Sequence, residues 1–305
     1  MIPVVWFEGI AGLDKYSAQF AAEGLQGRSR YACCGLLNDM FDSYDCRHYS
    51  GWDGMPSVPE YAVIIIHGGH LRYQVDQINE KIQQLQAVVC IGIGDEENDF
   101  PYDQLWHRNM KLWVQSPIPG KSRADHFPIV GYPCDIHENL KISDPRLLDW
   151  FFAGQVTHVR REECVSQLRH LQNGRLLETQ QFYSGMEHKE YFVTLGQAKV
   201  IPCPSGPVCS DTFRLAEALE AGCIPIIDQR PGWKDNHPRG FWNMVFPQGF
   251  PFPLLENWSE LPWTMNYLLS DYDNQSRICR EWWASYKADY YSWLGKDFKA
   301  LGINL

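Results

Sequence analysis

Apolar runs of strand length recur along this chain, each followed by a loop, most often glycine- or proline-bearing, and then by a stretch of helical period. Val4 to Phe7 leads through Gly9-Ile10-Ala11-Gly12 towards a helix beginning near Asp14. Ala62 to Ile66 leads through His67-Gly68-Gly69-His70 into Val75 to Gln86, and Val88 to Ile93 ends at Gly94-Asp95-Glu96-Glu97. Strand, loop and helix in alternation predict an α/β domain with a largely parallel sheet, whose functional loops lie at the carboxyl ends of the strands. No apolar stretch approaches the roughly 18 residues that a membrane-spanning helix needs. The opening Met1-Ile2-Pro3-Val4-Val5-Trp6-Phe7-Glu8 reads as a first strand without a basic leader, which makes a cytoplasmic enzyme, or the catalytic part of a longer one, the expectation.

From Ser116 to Asp144 the text changes, with Pro117, Pro119, Pro128 and Pro133 among few periodic apolar residues, the composition of an interdomain connection. A second alternating series follows. Leu148 to Phe152 is a strand, Glu162 to Gln172 a helix, Lys199 to Cys203 a strand, Thr212 to Ala221 a helix and Ile224 to Asp228 a strand. The chain of 305 residues is long enough for two modest domains. The expected architecture is two Rossmann-like domains facing a cleft, spanning 1–140 and 141–275. A helical tail, 276–305, carries Trp282, Trp283, Tyr286, Tyr290, Trp293 and Phe298 at amphipathic spacing and packs back on the body.

A net charge of -10 disfavours a nonspecific polyanion binder, although it leaves room for a local basic groove. Ten cysteines include no C-x-x-C pair, and Cys90, Cys164, Cys203 and Cys223 sit inside apolar patterns, so buried reduced thiols are expected.

The most informative stretch runs Ile201-Pro202-Cys203-Pro204-Ser205-Gly206, then Ser210-Asp211-Thr212-Phe213-Arg214-Leu215-Ala216-Glu217-Ala218-Leu219-Glu220-Ala221-Gly222-Cys223-Ile224-Pro225. It reads as a strand, a Pro/Gly/Ser turn and a helix whose first turn offers backbone N–H groups beside the hydroxyls of Ser210 and Thr212. Such a helix start binds phosphate or another anion. Ser210 or Asp211 capping the helix would account for the same residues without a ligand. Gly222 and Pro225 supply the stop signal.

These motifs, in this order, resemble the donor-binding signature of exostosin-like glycosyltransferases (glycosyltransferase family 47), and Phe151-Phe152-Ala153-Gly154 with Thr157-His158 and Arg160-Arg161 resembles the first strand and loop of that family's C-terminal domain. The resemblance covers roughly Asp149 to Trp258. It implies a GT-B fold and an inverting transfer from a nucleotide sugar, expected to be a UDP-sugar, with no further cofactor. It also implies that Glu217 hydrogen-bonds the donor ribose, and that Arg160, Arg161 and Arg214 neutralise the diphosphate with help from the Thr212–Phe213 backbone. Gly154, Ser205, Ser210 and Asp211 complete the expected donor site. One departure stands out: the acidic residue expected eight positions before Glu217 is Cys209, with Asp211 as a possible substitute.

Inverting transfer needs a base that takes the acceptor hydroxyl proton. In a GT-B enzyme it comes from the N-terminal domain, where Glu8, Asp14, His67, His70, Asp95 and Glu96 stand at strand ends. Asp95 and Glu96 follow a buried-looking strand and rank first, Glu8 next; His67 and His70 could instead contact acceptor or donor sugar. Asp271-Tyr272-Asp273 is a D-x-D string away from any nucleotide-binding strand, so no metal is expected. Two other readings remain open: a phage-type DNA glycosyltransferase acting on a hydroxymethylated base, with Arg28, Arg30, Arg47 and Arg72 lining a basic face, and a nonenzymatic sugar-nucleotide or glycan-binding protein.

Overall fold

The computed structural model describes residues 1–8, 35–179, 185–229 and 240–304. The chain forms two compact α/β units, one comprising Met1–Val130 with Ala288–Leu305 and the other Gly131–Lys287. The change from one to the other falls inside the Pro-rich stretch.

The first unit contains β1 (Ile2–Glu8), α1 (Gly35–Asp42), β2 (Cys46–Ser50), β3 (Tyr61–His67), α2 (Val75–Ile82), β4 (Ala87–Ile93) and β5 (Met110–Val114). Its five strands are all parallel, in the order β2-β1-β3-β4-β5. The central strand β3 and its neighbour β4 are near-continuous aliphatic runs because both faces of a parallel sheet are covered. Ala62 through Ile66 and Ala87 through Ile91 are all fully buried. Val75, Ile78 and Ile82, at helical spacing on α2, lie against this sheet in one cluster with Ile64, Ile66 and Val88.

The second unit contains α3 (Ile136–Asn139), β6 (Leu148–Gln155), α4 (Val159–Leu168), β7 (Gly174–Thr179), α5 (His188–Leu195), β8 (Ala198–Cys203), α6 (Phe213–Glu220), β9 (Ile224–Asp228), α7 (Phe241–Val245), β10 (Leu254–Leu255) and α8 (Leu261–Ser270). Its strands are also parallel, ordered β10-β9-β8-β6-β7. Counted within its own unit, each sheet therefore runs 2-1-3-4-5. In both, the order reverses between the first strand and the third, which is where open α/β sheets bind ligands, beyond the carboxyl ends of the strands.

The C-terminal segment is not a separate tail beginning at residue 276. It is a 29-residue helix, α9 (Tyr272–Ala300), whose residues from Ala288 onward belong to the first unit. There the Trp113 indole donates to Asp297 Oδ2 at 2.7 Å, Tyr44 Oη donates to the Tyr291 carbonyl at 2.7 Å, and the His126 ring stacks on Trp293 at 4.3 Å. Eight cysteines among the described residues are free thiols. No helix among the described residues is long and apolar enough to cross a membrane.

Candidate functional site

The carboxyl edge of the second sheet gathers most of the residues expected to hold a donor. Strand β6 ends at Gly154-Gln155, with Phe151 and Phe152 buried beneath, and the chain turns through His158 into α4. Arg161 Nη1 donates to the Gln155 carbonyl at 3.1 Å, while buried Arg160 pairs with Glu163 at 3.0 Å. Strand β8 ends in Pro204-Ser205-Gly206, and Ser205 is wholly buried. Ser210 Oγ donates to the Gln229 carbonyl at 3.3 Å, and Asp211 Oδ1 accepts the Thr212 N–H at 2.7 Å. Thr212, extended at φ −152°, is the N-cap of α6, and its side chain makes no capping bond to the helix. The first N–H groups of a helix have no partner within it, so α6 turns its positive end towards the loop that leaves β8.

Arg214 and Glu217 lie one turn further on and both are buried. Arg214 Nη2 donates to the Ala153 carbonyl at 2.6 Å, and its guanidinium lies 4.7 Å from the Phe152 ring centroid. A Cβ on Gly154 would stand 2.6 Å from the same nitrogen, so glycine is what lets the guanidinium cross the end of β6. Arg214 Nε and Nη1 are buried without a hydrogen-bond partner. The Nη2 contact braces α6 against β6, and Arg161, half-buried at the edge, is the more accessible cation.

Glu217 accepts a hydrogen bond from Tyr191 Oη at 2.6 Å. Burial raises its carboxyl to about 7, opposed by the Tyr191 bond and by Arg214. The Tyr191 phenol is pushed well above its ordinary range, by burial first and by Glu217 next. Sequence reasoning missed Asp228 and quoted His158 within a motif without giving it a role. Asp228, the last residue of β9, accepts the Trp258 indole N–H at 2.7 Å; burial raises it to about 6, against Trp258, Ser205 and Arg160. His158 is lowered to about 4, by burial and then by Arg161. An acid closing an apolar strand was the available signal for Asp228.

In the first unit, Glu8 closes β1 and is the register partner of His67 at the end of β3, which in turn pairs with Ile93 of β4. Glu8 and His67 therefore stand side by side where that sheet's order reverses. The buried His67 ring lies against Gly94, where a Cβ would come within 2.7 Å of Nε2. Asp95 turns inward. It is 3% exposed, and its two oxygens accept the backbone N–H groups of Asp99 at 3.0 Å and Phe100 at 2.9 Å. A carboxylate that closes its own loop in this way is poorly placed to accept an acceptor's proton. Glu96 is exposed. His70 lies in the 3-10 turn Gly69–Gln74, and Asp14, Arg28 and Arg30 lie outside the described residues. Arg72 is paired with Asp99 at 2.8 Å, and Arg47 lies over the Tyr49 ring.

Asp271 and Asp273 flank the start of α9, where Asp271 accepts the Asn274 amide at 2.8 Å. Among the described residues no three metal-ligating side chains converge. No family model matches the chain, and no curated protein matches it.

Proposed function

We propose that the chain is an inverting glycosyltransferase of GT-B organisation that moves a sugar from a UDP-sugar to an acceptor hydroxyl, with a glycan as the acceptor class. One observation carries the reading. Segments far apart in sequence, Gly154–Arg161, Ser205–Arg214 and Glu217, meet at the carboxyl edge of one parallel sheet where its strand order reverses. Within it, Glu217 takes the ribose hydroxyls, and the α6 N-terminus with Arg161 holds the diphosphate. In the reaction a base removes the acceptor hydroxyl proton, the oxygen attacks the anomeric carbon, and the bond to the diphosphate breaks with its electron pair leaving on the phosphate. The buried, backbone-bonded state of Asp95 shifts the base from Asp95 to His67 or Glu8, the neighbours at the first sheet's reversal point.

The test is UDP release from a panel of UDP-sugars, with and without simple glycans and hydroxymethylated DNA, in the presence and absence of EDTA. Glu217→Ala is expected to raise donor KM more than it lowers kcat, and His67→Ala to lower kcat by roughly 10²- to 10⁴-fold with donor binding retained. Asp95→Asn is expected to turn over whatever fraction stays folded. A chain that binds no UDP and releases none from any donor would sink the proposal.

A further inference from the structure

A cavity of about 730 Å³ opens in the second unit, at the end of the sheet away from the proposed donor site. Lys199, near the start of β8, lines it, whereas Ser205 follows the end of that strand, so about 20 Å of strand separates it from the proposed donor site. The volume lies in the range that holds small molecules.

One wall of the cavity is built from two arginines. Arg146 Nη2 donates to the Ala221 carbonyl at 2.6 Å and Nη1 to the Gly196 carbonyl at 2.8 Å; Arg280 Nη1 donates to Ser276 Oγ at 2.6 Å. Gly222, at φ +67°, sits between them: a Cβ there would lie 3.3 Å from Arg280 Cδ and 3.4 Å from Arg146 Nη2. The aliphatic stem of Arg280 and the guanidinium of Arg146 thus border the same glycine, and neither arginine is paired with a carboxylate among the described residues. The Ala221 and Gly196 carbonyls, at the C-terminal ends of α6 and α5, offset part of the charge of Arg146, and a wall with two guanidinium groups and no carboxylate partner for either favours an anion. Lys199, by contrast, is occupied by Asp149 at 2.7 Å. On the same cavity, Asp271 and Asp273 present exposed carboxylates beside the Tyr272 ring. Carboxylates accept bonds from hydroxyl groups, and guanidinium forks grip phosphate.

We infer that this cavity binds a small polyhydroxylated anion of the sugar-phosphate class, its phosphate on Arg146 and Arg280 and its hydroxyls on Asp271 and Asp273. The inference stands apart from the donor site and does not require transferase activity.

Isothermal titration of the full chain with glucose 6-phosphate, inorganic phosphate and glucose tests it, with circular dichroism confirming that each variant is folded. Glucose 6-phosphate is expected to bind saturably and more tightly than either fragment. Arg280→Gln is expected to weaken it about 10- to 100-fold, the loss of a charge-assisted contact, and Asp271→Asn to weaken it less. Glu217→Ala is expected to leave it unchanged, which separates this cavity from the donor site. No saturable binding, equal affinity for inorganic phosphate, or loss on Glu217→Ala with retention on Arg280→Gln would each overturn the assignment.

Discussion

At the scale of single residues, Glu217 joins stability to pH in a direction opposite to most carboxylates. Its carboxyl is raised to about 7 from its ordinary 4.5, because burial disfavours the charge more than Tyr191 and Arg214 restore it. Between those values the folded chain holds a proton that the unfolded chain has released. The contribution is therefore fully present below pH 4.5 and is lost as pH rises through about 7. Asp228, raised to about 6, acts in the same sense, whereas His158, lowered to about 4, acts in the opposite one. Glu217→Gln keeps an acceptor for Tyr191 and removes the charge. Relative to the native chain it is expected to gain stability as pH rises from 4.5 to 8, by on the order of 3 kcal/mol. Urea unfolding at several pH values measures this, and a constant difference between the two proteins would show that the carboxyl titrates normally.

Among secondary-structure elements, what the sequence made legible follows burial. The six strands read from apolar runs, β1, β3, β4, β6, β8 and β9, are the interior strands of the two sheets, and the four that escaped, β2, β5, β7 and β10, are the edges. An interior parallel strand is covered on both faces and spells a continuous aliphatic run. An edge strand such as Gly174-Arg175-Leu176-Leu177-Glu178-Thr179 is half-exposed and spells a mixed one. The candidate site divides in the same way. Motif residues on β6, β8 and α6 were legible, whereas the inward turn of Arg214 and the self-closed loop of Asp95 depend on side-chain directions that spacing does not encode. The crossing of β6 by Arg214 also gives an element-scale prediction. Gly154→Ala places a methyl 2.6 Å from Arg214 Nη2, so the guanidinium must leave the Ala153 carbonyl. The expected cost is about 1 to 3 kcal/mol, from a buried bond lost and a side chain displaced. Thermal unfolding with an unchanged midpoint would show that Arg214 has room to move.

For the whole molecule, the sequence separates two units that share one strand order, yet the last residues of the chain belong with the first of them. Tyr290, Leu294, Phe298 and Leu301 are buried, at 2%, 0%, 0% and 8% exposure. Burying four such side chains is worth about 6 to 12 kcal/mol, comparable with the whole stability of an ordinary domain, about 5 to 15 kcal/mol. Asp297 adds a buried acceptor for the Trp113 indole, and Phe298 packs its ring edge-on to Tyr61 at the start of β3, 5.4 Å between centroids. A chain ending at Lys287 would expose the surface those residues cover and leave the Trp113 N–H without its acceptor. Its first unit should therefore unfold or lose cooperativity, while the second unit's interior strands keep their own apolar cover. Hydrogen exchange resolved by segment is the direct measurement. Amides of β1, β3 and β4 should lose protection in the shortened chain, and those of β6, β8 and β9 should keep it. If β3 and β4 stay as protected as in the full chain, the C-terminal half of α9 is an ornament on the first unit and not part of its core.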